Sequence, residues 1–345
     1  MRITGIRSTP VAVPFHTEEA WAYGSRKGMI SILVEVDTDE GITGLGEAPA
    51  YPSADVVLSV LRTIEPLVIG EDPVRTERLS RLIDVVGTWH HVRSTSPAMA
   101  AVDMACWDIL GKVCGQPLVN LLGGRLHDEV EYACYVPRGP AQWMGERAAE
   151  AAKRGFRSFY LKVGSDELDD DVRRVAAIRE GAGPRAALRV DANEAWSPPA
   201  ALRALRALEE YAIEFAEQPV SGRNLPEMAA LRARVSTPLL ANEASWTRYD
   251  HLDVIREKAA DALSVDNQLD GGLMNMKRAA GICEAAGLTV VKHSLGELGI
   301  ATCAGAAVIA STPGFRYASQ SYGEMLADDI VAGGPLPYTG GCLRV

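Results

Sequence analysis

Three acidic residues follow short apolar runs at equal intervals along the chain. They are Asp191, Glu217 and Glu243, and each interval is 26 residues, from 191 to 217 and from 217 to 243. A strand–helix unit of a (β/α)8 barrel takes roughly 30 residues, so the three acids are predicted to end successive strands on one rim. Carboxylates this close would repel one another unless a divalent cation lay between them, and Mg²⁺ prefers oxygen ligands. The spacing therefore predicts one Mg²⁺ ion per subunit, held by these three residues.

A lysine precedes the acids by one more interval of similar length. Lys162 lies in the apolar run 156–163, 29 residues before Asp191. Alternation along a strand places Tyr160 on the same face as Lys162. A lysine is costly to bury without a partner or a chemical task. We therefore expect Lys162 to have a partner or a chemical task in the site, with Tyr160 beside it.

An aspartate and a histidine follow the acids in the same series. Asp266 lies 23 residues after Glu243, and His293 lies 27 residues after Asp266. On adjacent strand tips the carboxylate would fix the tautomer of the imidazole. Each residue alone has an ordinary explanation, Asp266 as a helix N-cap and His293 as a satisfied core histidine. Their place in a series of evenly spaced polar residues favours a shared site.

The order of predicted elements indicates an α/β barrel preceded by a smaller unit. Residues 1 to about 50 alternate and turn as in an antiparallel sheet, and residues from about 54 to 122 have helical spacing. From residue 130 onward strands alternate with helices. The predicted strands are 156–163, 187–191, 213–217, 239–241, 262–266 and 288–292. Repeated βα units predict a parallel sheet, and this many favour closure into a barrel.

A doubly wound open sheet is the alternative fold. It requires a glycine-rich phosphate loop after an early strand. The pair Gly271-Gly272 is a weak signal for such a loop and is typical of a tight entry into a helix. The barrel is therefore preferred.

The composition argues against several classes of partner. The chain has 345 residues, 47% of them hydrophobic, and a net charge of −10. This charge argues against nucleic acids and acidic membrane surfaces, and no apolar run is long enough to cross a bilayer. The chain opens on a strand-like segment and not on a signal peptide. None of the six cysteines forms a CxxC pair, so reduced core thiols of a cytoplasmic protein are predicted. We expect a small-molecule substrate and a homo-oligomer.

The chain resembles the enolase superfamily over nearly its whole length, specifically the mandelate racemase and muconate lactonizing enzyme branch. Four segments carry the resemblance besides the strand tips: 1–6 (MRITGI), 44–48 (GLGEA), 101–112 (AVDMACWDILGK) and 121–124 (LLGG). The resemblance implies an α/β fold with an α+β capping domain at 1–125. A (β/α)7β-type barrel of the (β/α)8 class is expected at 126–320, and a C-terminal tail at 321–345 is expected to pack back on the cap.

The same resemblance implies roles for the residues at the strand tips. Lys162 matches the second lysine of the family's Lys-x-Lys strand. Asp191, Glu217 and Glu243 match its metal ligands. Asp266 and His293 match the Asp–His dyad of the mandelate racemase subgroup.

This sequence departs from the family pattern at three places. Tyr160 stands where the family has the first lysine of its pair. Asn242 directly precedes Glu243 and is an alternative third ligand, although the even spacing favours Glu243. The last strand has Ser319, with Gln320 beside it, where the family has a glutamate that protonates or hydrogen-bonds the substrate.

Three further residues are candidates for binding or supporting the substrate. Asn193 follows Asp191 by two residues. Trp21 and Tyr23 lie in a surface loop expected at about 16–28, between the first two strands, and are expected to cover the site.

The resemblance implies abstraction of an α-proton from a carboxylate through a Mg²⁺-stabilised enediolate. With Lys162 on one face of the carbon and His293 on the other, the expected reaction is dehydration of a small hydroxy acid. The substrate would be an acid sugar or a hydroxyproline such as cis-3-hydroxy-L-proline. A racemase or epimerase of an α-hydroxy, amino or imino acid is the alternative. A catalytically silent ligand-binding barrel is the alternative from another class, and the presence of Lys162 and His293 argues against it.

Overall fold

The N-terminal part of the chain forms a three-stranded antiparallel sheet covered by helices. The computed structural model describes residues 1–88, 95–165 and 167–345. Strands β1 (Ile3–Trp21), β2 (Gly24–Thr38) and β3 (Thr43–Pro49) pair in that order. In the described ranges they are followed by the helices α1 (Ala54–Val68), α2 (Thr76–Thr88), α3 (Ser96–Cys114) and α4 (Leu118–Leu121).

Two glycines allow α3 to lie directly on β3. A β-carbon on Gly46 would lie 1.9 Å from the carbonyl oxygen of Ala101, and one on Gly44 would lie 2.0 Å from that of Ala105. Only glycine leaves room for so close an approach of a helix to a strand. The two glycines of the GLGEA segment thus have a packing role.

The expected loop at 16–28 is wrong, because β1 and β2 continue through it as a hairpin. The strands are paired up to Trp21 and Gly24, after an irregularity between Pro14 and Glu19. Glu19 lies opposite Arg26 across the hairpin, and the two side chains form an ion pair. Glu19 is buried, so its charge requires this partner. The cross-strand pair explains why polar residues form strands here.

The rest of the chain alternates strands and helices around a parallel sheet. The strands are β4 (Glu129–Glu131), β5 (Cys134–Val136), β6 (Ser158–Lys162), β7 (Ala187–Asp191), β8 (Ile213–Glu217), β9 (Leu239–Ala241), β10 (Ala262–Val265), β11 (Thr289–Lys292) and β12 (Cys342–Arg344). The helices are α5 (Ala141–Lys153), α6 (Leu168–Ala182), α7 (Pro198–Leu208), α8 (Leu225–Arg232), α9 (Arg248–Glu257), α10 (Leu273–Ala285) and α11 (Gly299–Ala310). Strands β5 to β11 pair in chain order, and every pair is parallel.

Residues 314–320 close this sheet into a barrel. Phe315 forms a parallel bridge with Val290 of β11, and Ser319 forms one with Tyr132, next to β5. The Gln320 amide donates to the Lys292 carbonyl (2.9 Å), and the Ala133 amide donates to the Ser319 carbonyl (2.9 Å). The predicted barrel and its six predicted strands are confirmed.

The C-terminal residues contact both parts of the molecule. Leu326 bridges to Phe15 of β1, and the Ala327 amide donates to the Pro14 carbonyl (2.9 Å). Further on, β12 pairs with β4 at the start of the barrel. These contacts support our proposed division into a cap (1–125), a barrel (126–320) and a tail (321–345).

The cysteines only partly follow the prediction of core thiols. All six are free. Cys106, Cys134 and Cys283 are buried, whereas Cys114 and Cys303 are exposed, so exposure at the ends and outer faces of helices was underestimated. Across the described residues, no helix combines the length and the apolar character needed to span a bilayer.

Candidate active site

Three of the predicted site residues lie side by side at the carboxyl ends of adjacent strands. In the register of β6, β7 and β8, Lys162 is paired with Asp191, and Asp191 is paired with Glu217. All three side chains are buried. The carboxyl ends of barrel strands are where such folds place their catalytic groups.

Tyr160 and Lys162 both contact Asp191. The Tyr160 hydroxyl donates to Asp191 Oδ2 (2.5 Å), and Lys162 Nζ lies 2.6 Å from the same oxygen. Lys162 Nζ also donates to the Tyr160 hydroxyl oxygen (2.8 Å). Burial raises the pKa of Tyr160 well above its usual value, as do the charges of Asp191 and Glu217, so Tyr160 is a neutral donor. Burial opposes the charge of Lys162, but Asp191, Tyr135 and Glu217 together outweigh it, so the pKa of Lys162 is raised.

Glu217 is held by two side-chain amides. Asn242 Nδ2 donates to one carboxylate oxygen (2.7 Å), and Gln320 Nε2 donates to the other (2.5 Å). Burial raises the pKa of Glu217 well above its usual value, and the charge of Asp191 adds to the effect. Burial and Asp191 likewise raise the pKa of Glu243 to about 8. Crowded buried acids of this kind are stabilised by a bound cation.

Asn242 and Glu243, the two candidates for the third metal ligand, make different contacts in the structure. Among the described residues, no group of three His, Cys, Asp or Glu side chains is arranged to hold a metal ion. Asn242 contacts Glu217 directly, and its Oδ1 is buried and accepts no hydrogen bond from a described residue. Glu243, one residue further, instead accepts a hydrogen bond from Asn193 Nδ2 (2.9 Å).

Asn193 supports both acidic segments from the loop after β7. Its backbone amide donates to Asp191 Oδ1 (2.8 Å), and its side chain reaches Glu243. Asn193 has a φ of 44°, in the left-handed region that asparagine tolerates better than most residues. The loop geometry therefore orients Asp191 from the side opposite to Lys162 and Tyr160.

The structure brings Asp266 and His293 together on the far side of the acids. His293 Nδ1 lies 3.4 Å from Asp266 Oδ2. Burial disfavours the charge of Asp266, but Lys292 and His293 lower its pKa below the usual value, so it is an anion. Lys292 is itself buried, 3.9 Å from Asp266 Oδ2, and forms an ion pair with Glu297. Asp266 therefore lies between two basic side chains.

On the closing segment, Gln320 faces the site and Ser319 does not. Gln320 contacts Glu217, and the carbonyl of Ala318 accepts a hydrogen bond from the barrel-interior side chain of Arg189. Pleat alternation turns Ser319, which lies between these two residues, to the other side. Of the two residues named for this position, Gln320 is therefore the one that contacts an acid of the site, whereas the register of the closing strand is not visible in the sequence.

The hairpin of β1 and β2 lies across the mouth of the barrel. A β-carbon on Gly164, just after β6, would lie 3.9 Å from the Ala22 side chain. One on Gly296, just after β11, would lie 3.1 Å from Nη1 of Arg26. The hairpin thus spans the strand ends that carry Lys162 and His293.

Trp21 and Tyr23 lie at the tip of this hairpin. The Trp21 ring lies 5.7 Å from the Arg26 guanidinium. Tyr23 is 68% exposed. Partial burial raises its pKa, as do Glu194 and Glu243, which places the phenol near the rim. Of the two, Trp21 is the more enclosed.

Sequence reasoning missed an aromatic cluster beneath the hairpin. Tyr135 lies 5.5 Å from Tyr160 and 5.1 Å from Tyr322, measured between ring centroids. The Tyr322 hydroxyl donates to Glu19 (2.6 Å), and Arg26 lies 4.9 Å from its ring. The Tyr135 hydroxyl is buried and has no hydrogen-bond partner among the described residues. Its only sequence signal is its place at the end of the first barrel strand.

Known proteins match this chain over both structural parts. Residues 3–123 match the N-terminal domain of the mandelate racemase / muconate lactonizing enzyme family, and residues 143–345 match the family described as enolase C-terminal domain-like. The N-succinyl-L-Arg/Lys racemase of Bacillus cereus is 32% identical over 98% of this chain and 89% of its own length. Its crystal structure has a TM-score of 0.93 at 31% identity, covering 100% of this chain and 93% of that chain.

Two further relatives differ in their reactions. The cis-3-hydroxy-L-proline dehydratase of Roseibium aggregatum is 30% identical over 99% of this chain and 93% of its own length. The dipeptide epimerase of Enterococcus faecalis, in complex with Mg and the dipeptide L-Leu-L-Tyr, has a TM-score of 0.92 at 28% identity, covering 100% of this chain and 97% of that chain.

The fold and these matches define an α/β barrel enzyme with an N-terminal capping domain. The chain belongs to the mandelate racemase / muconate lactonizing enzyme family of the enolase superfamily. It is an isomerase or a lyase of that superfamily.

Proposed function

We propose that the protein is a Mg²⁺-dependent dehydratase that removes the α-proton of a small hydroxy carboxylate. The observation that carries the proposal is the placement of two basic side chains on opposite sides of the acids. Lys162 adjoins Asp191 on one side. On the other side His293 pairs with Asp266, which lies two strands beyond Glu217 and one strand beyond Asn242. A carbon held over the acids would present one face to each base.

Asp191, Glu217 and Asn242 are the proposed metal ligands, with Glu243 as the alternative third ligand. They offer the hard oxygen donors that Mg²⁺ prefers, and the buried Asn242 Oδ1 lacks a partner among the described residues. The raised pKa of Glu217, caused by burial and by Asp191, also fits a site built for a cation. When bound, Mg²⁺ supplies positive charge beside the substrate carboxylate, which stabilises the negative charge that develops as the α-proton leaves.

Lys162 is the proposed base for the α-proton. In the structure it is an ammonium held by Asp191 and Tyr160. A cation bound by Asp191 would offset the charge of that carboxylate, which is the largest of the charges that raise the pKa of Lys162 against the effect of burial. The lysine would then lose its proton more easily and could act as the base. Tyr160 keeps the amine oriented without adding a charge of its own.

His293 is the proposed acid for the leaving hydroxyl. Its Nδ1 faces Asp266, so Nε2 is the ring nitrogen that is free to face the substrate. Lys292 and His293 lower the pKa of Asp266 against the effect of burial, so a carboxylate anion faces Nδ1 and orients the ring. His293 would give its proton to the β-hydroxyl, which then leaves as water.

The closed mouth of the barrel supports a small substrate. Asp191 and Glu217 are fully buried beneath the hairpin, and the side chain of His293 is 12% exposed. Glu19 neutralises Arg26, so this hairpin offers no free arginine charge for a second carboxylate. We therefore propose a monocarboxylate of the acid-sugar or hydroxyproline type, such as cis-3-hydroxy-L-proline.

A racemase or epimerase is the second candidate. Opposed bases also suit proton removal from one face and return to the other. The relatives from B. cereus and E. faecalis are named for such reactions. A silent ligand-binding barrel is disfavoured, since it has no use for a buried lysine and a buried Asp–His pair.

Incubation of acid sugars and of proline and hydroxyproline derivatives with enzyme and Mg²⁺ in D₂O, followed by proton NMR, tests the proposal. A dehydratase removes the signal of the proton beside the β-hydroxyl and gives a 2-keto acid from an acid sugar or a cyclic imine from a hydroxyproline. A racemase gives deuterium at the α-carbon with inversion and no loss of hydroxyl. Wild-type protein that neither exchanges the α-proton of any of these compounds nor converts any of them to product would contradict the proposal.

A further inference from the structure

A buried serine, histidine and aspartate form a hydrogen-bonded chain beside the candidate site. His251 lies on α9 and is fully buried. Its Nδ1 is 2.6 Å from Ser245 Oγ, and its Nε2 is 3.0 Å from Asp270 Oδ1. Because an ionised carboxylate only accepts hydrogen bonds, Nε2 carries the proton toward Asp270. None of these residues belongs to the proposed chemistry.

The order of the three groups is that of a hydrolase triad, but a nucleophilic role is excluded. The Ser245 side chain is 2% exposed, and its hydroxyl also lies 3.2 Å from the Ser264 carbonyl oxygen. The side chain of Asp270 is 2% exposed. A substrate carbonyl cannot reach a hydroxyl enclosed in this way, so the chain must act on its neighbours.

One end of the chain fixes the turn that carries Asp266. Asp270 Oδ2 accepts the backbone amide of Asp266 (2.9 Å), and the Asp270 amide donates to the Asp266 carbonyl (2.8 Å). Within the same turn, the Gln268 amide donates to Asp266 Oδ1 (2.6 Å). The direction of the Asp266 carboxylate is therefore set by a turn that Asp270 closes and His251 holds.

The other end fixes the turn that carries the third proposed metal ligand. The Ser245 amide donates to the Asn242 carbonyl (2.8 Å), which closes the turn 242–245. Both Asn242 and Glu243, the two candidates for that ligand, lie in this turn. His251 thus bonds to both turns, through Nδ1 to Ser245 and through Nε2 to Asp270.

We propose that His251 is a positioning residue that couples the metal-binding turn 242–245 to the Asp266–His293 dyad. It holds Ser245 through Nδ1 and Asp270 through Nε2, so loss of either bond releases the turn at that end. This inference rests on the proposed roles of Asn242 or Glu243 and of the dyad. It adds a residue outside the barrel interior that determines their relative placement.

Three variants separate the two arms of the chain. His251→Phe fills the volume and removes both bonds. In His251→Gln the amide reaches about as far as Nε2 and keeps the Asp270 arm, whereas in His251→Asn it reaches about as far as Nδ1 and keeps the Ser245 arm. His127→Gln, at an exposed position, is the matched control.

Two readouts that require no substrate follow each arm. Mg²⁺ affinity by titration calorimetry reports the turn 242–245. The ring-carbon NMR signal of His293, with ¹³C-labelled histidine and assignment by His293→Asn, reports the dyad. Loss of an outer partner of a metal site typically costs about 10–100-fold in affinity. We expect His251→Gln to lose Mg²⁺ affinity by about this factor with little change at His293, and His251→Asn to move the His293 signal with little change in affinity.

His251→Phe should change both readouts, and His127→Gln neither. Folded His251→Phe protein with wild-type affinity and a wild-type His293 signal would overturn the proposal. Wild-type Mg²⁺ affinity in His251→Gln together with a wild-type His293 signal in His251→Asn would also overturn the proposal. These two variants test it even if His251→Phe fails to fold. Absence of α-proton exchange in wild-type enzyme would instead refute the proposed function and leave these readouts interpretable.

Discussion

Lys162 and Asp191 form a buried ion pair in which Nζ lies 2.6 Å from Oδ2. The candidate base is thus held by a candidate metal ligand. Both roles use the same carboxylate, so a cation bound by Asp191 would weaken its hold on the lysine. This relationship links metal binding to activation of the base and gives the first prediction.

Replacing Lys162 by methionine should destabilise the metal-free protein and increase its response to Mg²⁺. Breaking a buried ion pair leaves an uncompensated charge and typically costs about 3–5 kcal/mol. In the variant, Mg²⁺ no longer competes with an ammonium for Asp191. The shift in melting temperature on adding Mg²⁺, measured by calorimetry, should therefore exceed that of the wild type.

Lys292→Met is the matched control, because Lys292 is equally buried but is paired with Glu297. It should destabilise the protein without enlarging the Mg²⁺ response. Equal Mg²⁺-induced shifts in wild type and Lys162→Met would contradict the competition.

Replacing Tyr160 by phenylalanine should slow turnover while leaving the fold intact. The change removes a hydrogen bond to an ionised carboxylate, which is worth about 1.5–3 kcal/mol, or roughly 10–150-fold in rate if it is needed in the transition state. Tyr132→Phe is the control, since its buried hydroxyl has no hydrogen-bond partner among the described residues. A comparison of kcat for the two variants tests the role of Tyr160. Equal rates would remove it from the site.

The third metal ligand can be identified by comparing Asn242→Ala with Glu243→Gln. We expect the Asn242 variant to lower Mg²⁺ affinity by at least tenfold, since it removes a coordinating oxygen. The Glu243 variant should have a smaller effect, because that carboxylate is held by Asn193. Titration calorimetry measures both affinities, and the reverse order would restore the assignment favoured by the even spacing.

The docking of the cap on the barrel should weaken as the pH rises. Glu47 accepts hydrogen bonds from the amides of Leu298 (2.6 Å) and Ala301 (2.9 Å), at the start of α11. Burial raises the pKa of Glu47 to about 7. A carboxyl group whose pKa is higher in the folded than in the unfolded state stabilises the fold less as pH increases. The loss begins near the unfolded pKa of about 4.5 and is complete above the folded value.

The expected loss is about 3 kcal/mol between pH 4.5 and pH 7.5, since folding raises the pKa of Glu47 from 4.5 to about 7. Urea unfolding across this range should show it. Glu47→Gln should flatten this part of the profile, whereas Glu146→Gln, on an exposed face of α5, should not. A profile with the same slope in wild type and Glu47→Gln would refute the assignment.

The barrel was predictable because its strands are short, apolar and regularly spaced. Period-2 alternation within β6 placed Tyr160 and Lys162 on one face, and the equal steps placed Asp191 and Glu217 on neighbouring tips. These are local patterns that depend only on strand length and helix length. The pairing of Asp266 with His293 followed from the same count.

The remaining features depend on contacts between distant segments. The Glu19–Arg26 ion pair joins the two strands of the hairpin. In the sequence, the polar residues of this segment suggest a surface loop instead. Which of Ser319 and Gln320 points toward the acids depends on the register of the closing strand. The chain through His251 joins turns that only the fold brings together. Such positions require the register and the packing, which a single sequence does not specify.

The most direct test of the account is deuterium exchange at the substrate α-carbon by wild type, Lys162→Ala and His293→Asn. Each protein is incubated with Mg²⁺ and a substrate found by the screen, in D₂O, and the α-proton and the product are followed by NMR. We predict that Lys162→Ala abolishes exchange and that His293→Asn permits exchange but blocks loss of the hydroxyl. In a racemase, the two variants should each stop exchange from a different enantiomer. Full turnover by both single variants would contradict the account, because neither residue would then be the base.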